Sequence, residues 1–220
     1  MDDLVVEAMQ KWPDVPAVYG WLSLNQSGEW RIHQGGNYAK NPLGEKITNP
    51  QILAFIARNY SHTEQGEYFF QNGPQRVFID LSEAPFVIEL NDKQQFYTLN
   101  TSETIERIDA WLMDDNGFIY ILSNIGFCLV ASKDLATIFN NANISCQHSL
   151  ESSSANNLDA FFESSPLISS SLLNNHNTID SIHQQATYQL IFANYASAPL
   201  ILIHQKDKET IGHFIAHPSP

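Results

Sequence analysis

The polar residues with the clearest placement for chemistry lie around one predicted hairpin, YFFQNGPQRVFIDL at residues 68–81. An Asn-Gly dipeptide separates two apolar runs there, and this is a strong short-range signal for a two-residue hairpin turn. With Asn72 and Gly73 as the turn, Phe69 pairs with Arg76 across the hairpin. Side-chain alternation then predicts that Phe69, Gln71 and Arg76 share one face.

The opposite face of this hairpin, with Tyr68, Phe70 and Val77, is predicted to meet the core, because the apolar alternation continues along the second strand. Arg76 is predicted to lie beside the ring of Phe69. A cation–π contact there contributes about 0.5–1 kcal/mol when exposed.

Two interpretations of Arg76 stay open. In the structural one, which the residues favour, Arg76 packs on its cross-strand Phe or pairs with an acid such as Asp80 or Asp14. In the functional one, the guanidinium and the neighbouring amides bind an anionic or amide-bearing partner, since arginine presents several donors in a fixed fork.

A binding surface at this hairpin would draw on aromatic and polar residues that the predicted elements bring near it. The candidate residues are Trp12, Asp14, Tyr60, Phe69, Gln71, Asn72 and Arg76.

The chain carries none of the common catalytic sequence motifs. The sequence has no G-x-S-x-G nucleophile motif, no phosphate-binding loop and no H-E-x-x-H zinc motif. His213 and His217 flank three residues, but a zinc site needs three or four ligands, and no cysteine lies near them. We therefore expect no metal and no cofactor, and the sequence identifies no catalytic residue.

The charge balance limits the class of partner. The formal net charge is −13, and Lys and Arg form no cluster. Nucleic acids and anionic membranes select basic surfaces, so we expect neither as a partner. The N-terminus has no signal-peptide pattern, and Cys128 and Cys146 form no C-x-x-C motif. A cytoplasmic location is the expectation.

Periodicity predicts an α+β fold, with antiparallel sheets built from hairpins and two or three packed helices. Helices are expected over residues 2–12 and from Pro50, with Thr48 as the cap. Residues 68–99 suggest a meander of four strands, and residues 105–131 suggest three more strands.

Composition predicts three segments. Residues 1–140 form the main domain. Residues 141–185 are rich in Ser and Asn, which bury little apolar surface, and form a connector. Residues 186–220, including a strand at 210–216, form a C-terminal β segment that packs on the main domain.

Several segments carry a resemblance to a known family. They are KWPDVPAVYGWL at 11–22, ITNP at 47–50, RNY at 58–60, FFQNGPQRV at 69–77 and GHFIAHPSP at 212–220. The chain resembles an uncharacterised proteobacterial family of the "domain of unknown function" class. The resemblance implies a bacterial, cytoplasmic, stand-alone protein whose C-terminal segment belongs to the same fold. It brings no activity, cofactor or catalytic residue.

These observations favour a non-catalytic binding or accessory protein whose partner is a protein or a small molecule. The alternative is a hydrolytic enzyme whose catalytic groups converge from distant positions. A deep pocket lined by titratable groups would favour the enzyme, and a patch of aromatic residues would favour binding.

Overall fold

The computed structural model describes residues 1–146, 158–173 and 178–220, and it confirms the α+β class. The helices are α1 (Asp3–Lys11), α2 (Pro50–Arg58), α3 (Leu135–Asn141), α4 (Leu158–Ser164), α5 (Thr178–Gln185) and α6 (Lys208–Gly212). The strands are β1 (Val18–Leu24), β2 (Trp30–Ile32), β3 (Glu45–Lys46), β4 (Tyr60–His62), β5 (Tyr68–Asn72), β6 (Gln75–Leu81), β7 (Phe86–Leu90), β8 (Phe96–Thr98), β9 (Ile108–Asp114), β10 (Ile119–Ser123), β11 (Gly126–Val130), β12 (Asn143–Cys146), β13 (Leu167–Ile168), β14 (Tyr188–Ile191) and β15 (Ala198–Ile203).

The described residues divide into two compact units. The first contains Met1–Val87, Thr98–Glu103 and His213–Pro220, and the second contains Ile88–Tyr97 and Thr104–Gly212. These boundaries differ from the predicted ones at 140 and 185, and a separately folding body over 1–140 stays a prediction.

The described residues form two sheets. One has the order β3-β2-β1-β6-β5-β4. The other has the order β12-β14-β15-β9-β10-β11-β7-β8, with β13 beside β15. The predicted meander over residues 68–99 is therefore wrong, because β6 pairs with β1 in parallel while β7 and β8 belong to the other sheet. The three antiparallel strands predicted over 105–131 are confirmed.

The hairpin exists, but its predicted register is wrong. Gln71 pairs with Arg76, and Asn72 pairs with Gln75, so the two turn residues are Gly73 and Pro74. A turn at Asn72-Gly73 would need the amide of Pro74 to close the hairpin, and proline has no N–H. Gly73 has a φ of +58°, which suits the first central position of a hairpin turn.

The predicted faces survive this shift, because the pairing moves by two residues and side chains alternate with a period of two. Phe69 now pairs with Phe78, and Phe70 pairs with Val77. Phe69, Gln71 and Arg76 remain on one face.

Strand β1 contains an irregularity that positions Tyr19. Val18 pairs with Val77, whereas Leu22 pairs with Ile79, so β1 holds two extra residues between these pairs. Gly20 lies there with a φ of +72°, and a Cβ on it would meet the carbonyl oxygen of Gly36 at 2.7 Å. Glycine is the residue that accepts both conditions without strain.

The first helix is anchored to the end of the second. The Arg58 guanidinium donates to the carboxylate of Asp2, and the Asp2 amide donates to Asn59 Oδ1 at 2.8 Å. Helix α2 begins after Asn49, whose side chain accepts two backbone N–H groups, so the prediction of Thr48 as its cap is wrong. Leu4 of α1 is 79% exposed, whereas Val5 is buried.

The last predicted strand is wrong as well. Helix α6 occupies Lys208–Gly212, and the chain then makes a single bridge, in which Ile215 pairs with Glu67. The segment expected to be a connector contains β12, α4 and α5 in its described part. No helix in the described ranges has the length and apolar character needed to cross a bilayer.

Candidate functional site

A cavity of about 500 Å³ lies in the first unit, between the linker after α1 and the tip of the β5–β6 hairpin. Trp12, Pro13 and Val15 line it from the linker side. Gln71 and Arg76 line it from the hairpin side. Two of the segments that carried the family resemblance, 11–22 and 69–77, therefore meet at the same cavity.

Local structure explains why the linker lies there. Pro13 follows the last turn of α1 and cannot continue the helix, since its ring removes a backbone donor. The chain then runs to β1, which pairs with β6 directly beside the hairpin. Gln75 Nε2 donates to the carbonyl oxygen of Pro16 at 3.3 Å and connects the linker to the hairpin tip.

Arg76 supplies the charge of this cavity. Its guanidinium carbon lies 4.2 Å from the ring centroid of Phe69, which confirms the predicted cation–π contact. It lies 6.0 Å from the ring of Phe78. The predicted alternatives of an ion pair with Asp80 or Asp14 are not observed, and no carboxylate in the described part of the chain forms a salt bridge with Arg76.

Gln71 supplies an acceptor next to this charge. Its side chain is 1% exposed, and its Nε2 donates to the carbonyl oxygen of Gly73 at 2.9 Å. That bond fixes which end of the amide is the oxygen. Oε1 is buried and has no hydrogen-bond partner within residues 1–146, 158–173 and 178–220. A buried acceptor without a donor costs about 1–3 kcal/mol.

Aromatic surface completes the cavity. Tyr19 stacks on Phe78 with ring centroids 4.7 Å apart and an interplanar angle of 9°. Trp12 is 50% exposed, and the ammonium of Lys11 lies 4.5 Å from the centroid of its ring. Among the described lining residues, Arg76 alone carries a charge.

The other predicted site residues lie outside this lining. Asp14 and Asn72 are exposed near its edge, in the linker and at the end of β5. Tyr60 lies elsewhere in the unit, where its hydroxyl donates to the carbonyl oxygen of Pro85 at 2.8 Å. Its ring packs against Trp30.

Sequence reasoning missed Tyr19, Phe78, Val15 and Pro13 as lining residues. For Phe78 a signal was present, because it lies two positions after Arg76 on the same strand and so shares its face. For the linker residues no local signal exists, since their position depends on the parallel pairing of β1 with β6.

A second polar cluster lies on the same sheet. Ser23 Oγ is 2.8 Å from His33 Nε2, and His33 Nδ1 is 2.8 Å from the carbonyl oxygen of Asn41. A carbonyl can only accept, so Nδ1 carries a proton and donates to the carbonyl oxygen of Asn41. Asp80 pairs across the sheet with Ser23, and its Oδ1 lies 3.2 Å from His217 Nδ1.

The environment of Asp80 acts on its carboxyl in two directions. Burial raises the pKa of Asp80 above its usual value, and this effect exceeds the lowering by the hydrogen bond and charge of His217 and by the charge of His33. Desolvation disfavours the charged form of a carboxyl group. Asp80 also raises the pKa of Tyr38, whose own burial is the larger cause.

A second cavity, of about 420 Å³, lies between α2 and the β2 strand in the same unit. Trp30 lines it, and its buried indole N–H has no partner among the described residues. The charged side chains at this cavity already pair, because Lys46 Nζ lies 2.6 Å from Glu29 Oε1.

The histidines considered as metal ligands have other partners. His213 Nε2 lies 3.1 Å from the carbonyl oxygen of Glu64, and His217 contacts Asp80. Within the described ranges, no group of three or more His, Cys, Asp or Glu side chains could hold a metal ion.

Comparison with known proteins defines a family and no activity. Residues 1–187 match DUF2944, a family described as "Protein of unknown function (DUF2946)", and the chain belongs to this family. No curated protein matches the chain.

Two solved structures are similar to parts of the chain. A DUF1285 family protein from Shewanella baltica OS155 is 15% identical, with a TM-score of 0.39 over 55% of this chain and 91% of that one. A DUF1285 family protein from Silicibacter pomeroyi DSS-3 is 16% identical, with a TM-score of 0.42 over 66% of this chain and 87% of that one.

Proposed function

We propose that this protein is a non-catalytic binding protein for an anionic ligand with an apolar body. The ligand binds in the cavity of about 500 Å³ that Arg76, Gln71, Trp12, Tyr19 and Phe78 line, which we call the Arg76 cavity. The guanidinium holds the anion, and the rings of Trp12, Tyr19 and Phe78 pack against the apolar body. The ligand is a small molecule or an exposed segment of a protein partner.

The observation that carries this proposal is the half-buried guanidinium of Arg76 at a cavity whose described lining offers it no carboxylate. A charge removed from water is costly unless a counter-charge offsets the loss. The stacking of Arg76 on Phe69 orients the fork but leaves its donors for a ligand. An anion that enters the cavity supplies the missing partner.

The hydrolytic alternative has one observation in its favour, which is the hydrogen-bonded pair of Ser23 and His33. A Ser–His contact at this distance is the core of a nucleophilic site. Ser23 is 2% exposed and His33 is fully buried, so a substrate carbonyl reaches Ser23 Oγ only if the surrounding chain moves. Hydrolysis of p-nitrophenyl acetate above the buffer rate, abolished by Ser23→Ala, would support this second function.

A bacterial, cytoplasmic setting is part of the proposal. The sequence resemblance supports a bacterial origin. Cys128 and Cys146 form no disulfide, which fits a reducing compartment.

A pair of matched probes tests the proposal. 3-Phenylpropionate carries the anion and an aromatic body, and 3-phenylpropan-1-ol has the same body without the charge. We expect the wild type to bind the acid about tenfold more tightly than the alcohol, since charge-assisted hydrogen bonds contribute about 1.5–3 kcal/mol.

Arg76→Gln should reduce that ratio to about one, because the alcohol loses no partner in this variant. Arg107→Gln is the matched control. It removes the same charge from an exposed site in the second unit, where Arg107 pairs with Asp109. Equal affinity for acid and alcohol in the wild type, or a ratio that Arg76→Gln leaves unchanged, would overturn the proposal.

A further inference from the structure

The Arg76 cavity combines a cation with a buried acceptor at one place on the hairpin. Gln71 and Arg76 are direct cross-strand partners, so their Cβ atoms are about 4.5–5.5 Å apart on the same face. Gln71 Oε1 has no donor within the described residues, and Arg76 has no counter-ion there. Gln71 Oε1 therefore needs a hydrogen-bond donor, and the guanidinium of Arg76 beside it needs an anion.

A single ligand satisfies both groups when it carries an N–H donor close to a carboxylate. In an α-amino acid the nitrogen and the carboxyl carbon are bonded to the same carbon, which places them about 2.5 Å apart. This spacing lets one small molecule reach two neighbouring side chains of unequal length. A simple carboxylic acid leaves Gln71 Oε1 without a donor.

The charge of the cavity decides the form of the nitrogen. A free amino acid carries an ammonium group, which Arg76 would repel, and no carboxylate lines the described cavity to receive it. An acylated nitrogen is neutral and keeps one N–H donor. The apolar wall formed by Trp12, Pro13 and Val15 suits an apolar side chain on the same ligand.

We propose that the ligand is an N-acyl α-amino acid with an apolar side chain, as a small molecule or as the C-terminal residue of a peptide. Its carboxylate binds Arg76, and its amide N–H donates to Gln71 Oε1. Gln71 is 1% exposed in the free protein, so its side chain turns toward the cavity for this bond to form. This inference rests on the proposed function, because it assigns the ligand class of the same cavity.

Calorimetric titration of the intact protein with four probes tests the inference. They are N-acetyl-L-phenylalanine, N-acetyl-N-methyl-L-phenylalanine, N-acetyl-L-phenylalaninamide and 3-phenylpropionate. We expect the first to bind about tenfold more tightly than the N-methyl compound and 3-phenylpropionate, which lack the N–H. The amide lacks the carboxylate and should bind more weakly by a factor of about ten or more.

Gln71→Met assigns the preference to one atom. Methionine has a similar volume and no amide oxygen, so this variant should bind N-acetyl-L-phenylalanine and its N-methyl analogue equally while keeping the preference for a carboxylate. Arg76→Gln should bind N-acetyl-L-phenylalanine and N-acetyl-L-phenylalaninamide equally, while it keeps the preference for a probe with an N–H. The ratios between probes within each protein remain informative if a variant is less stable, provided that it is folded by circular dichroism.

The outcomes separate the inference from the function on which it rests. If all carboxylates bind equally and Arg76→Gln weakens them all, the amino-acid inference is wrong and the anion-binding function stands. If no carboxylate binds in an Arg76-dependent manner, both are wrong.

The peptide Ala-Ala-Ala-Phe and its C-terminally amidated form identify the source of the ligand. Binding of the acid alone at or above the affinity of N-acetyl-L-phenylalanine supports a peptide terminus. Exclusion of both peptides, with binding of N-acetyl-L-phenylalanine retained, supports a small molecule.

Discussion

Strand β6 carries two charged residues on one face, and the protein surrounds them differently. Asp80 is 6% exposed and has His217 as a partner, beside the hydrogen-bonded pair of Ser23 and His33. Arg76, four residues earlier at the hairpin tip, packs on the ring of Phe69 and lines the cavity. The polar groups around Asp80 hydrogen-bond to one another. Arg76 and the neighbouring Gln71 Oε1, by contrast, keep hydrogen-bonding capacity for a ligand. The number of polar groups in a region therefore does not identify a binding site. Polar groups that lack a partner within the protein do.

The largest expected difference between the two regions is in stability. His33→Ala should lower the free energy of unfolding by about 3 kcal/mol, because the fully buried ring is lost and the groups of Ser23 and Asn41 that bond to it are left without a partner. Urea denaturation measures this loss. His183→Ala on the exposed side of α5 should change stability by less than about 0.5 kcal/mol. A loss under about 1 kcal/mol for His33→Ala would contradict the view that this cluster stabilises the fold.

The pH dependence of stability should differ as well. The folded pKa of Asp80 is raised, so its contribution to stability is complete below the unfolded pKa of 3.8 and is lost as the pH rises through the folded value. Asp80→Asn cannot ionise and avoids this loss. Its stability relative to the wild type should therefore increase as the pH rises above about 4 in urea titrations.

Glu29 provides a control of opposite sign. Hydrogen bonds from Lys46, Arg31 and Asn25 lower the pKa of Glu29 to about 2. Its contribution is present above the unfolded pKa of 4.5 and is lost as the pH falls toward about 2. Glu29→Gln should thus lose stability relative to the wild type as the pH rises through this window. If Asp80→Asn also loses stability relative to the wild type as the pH rises, the pKa of Asp80 is not raised.

Arg76→Gln should have a smaller effect on stability than on binding. The variant loses the contact with Phe69 and no ion pair to a described residue, so we expect a loss of about 1 kcal/mol or less in urea denaturation. A loss above about 2 kcal/mol would show that Arg76 has a structural role, which the sequence alone favoured.

Gln71→Met should have the smallest effect. It removes a buried acceptor that has no donor among the described residues, and it also removes the hydrogen bond to Gly73. These two contributions have opposite signs, so we expect a change within about 1 kcal/mol by urea denaturation. A large loss would indicate that Oε1 has a partner in the free protein, such as a bound water.

The sequence predicted the faces of the hairpin but not its register. Alternation with a period of two placed Phe69, Gln71 and Arg76 together, and a shift of two residues preserved this result. The Asn-Gly signal predicts the wrong turn, because Pro74 has no N–H with which to close it. The proline in this segment is therefore the residue that predicts the observed turn at Gly73 and Pro74.

The cavity itself could not be predicted from local patterns. It depends on the parallel pairing of β1 with β6, which joins residues far apart in the chain, and on the irregularity at Gly20 that positions Tyr19. Tyr60 is one of the predicted site residues, but it does not line the cavity. Its position is instead fixed by packing against Trp30.

The central claim is that an anionic ligand binds at Arg76, and a nuclear magnetic resonance titration with N-acetyl-L-phenylalanine tests it most directly. The second cavity of the same unit serves as an internal comparison, because Trp30 lines it. We predict that the Trp12 indole N–H, the Arg76 Nε–H and the Gln71 amide shift together with one dissociation constant, while the Trp30 indole does not move. Shifts confined to Trp30, or no saturable shift at Arg76, would contradict the account.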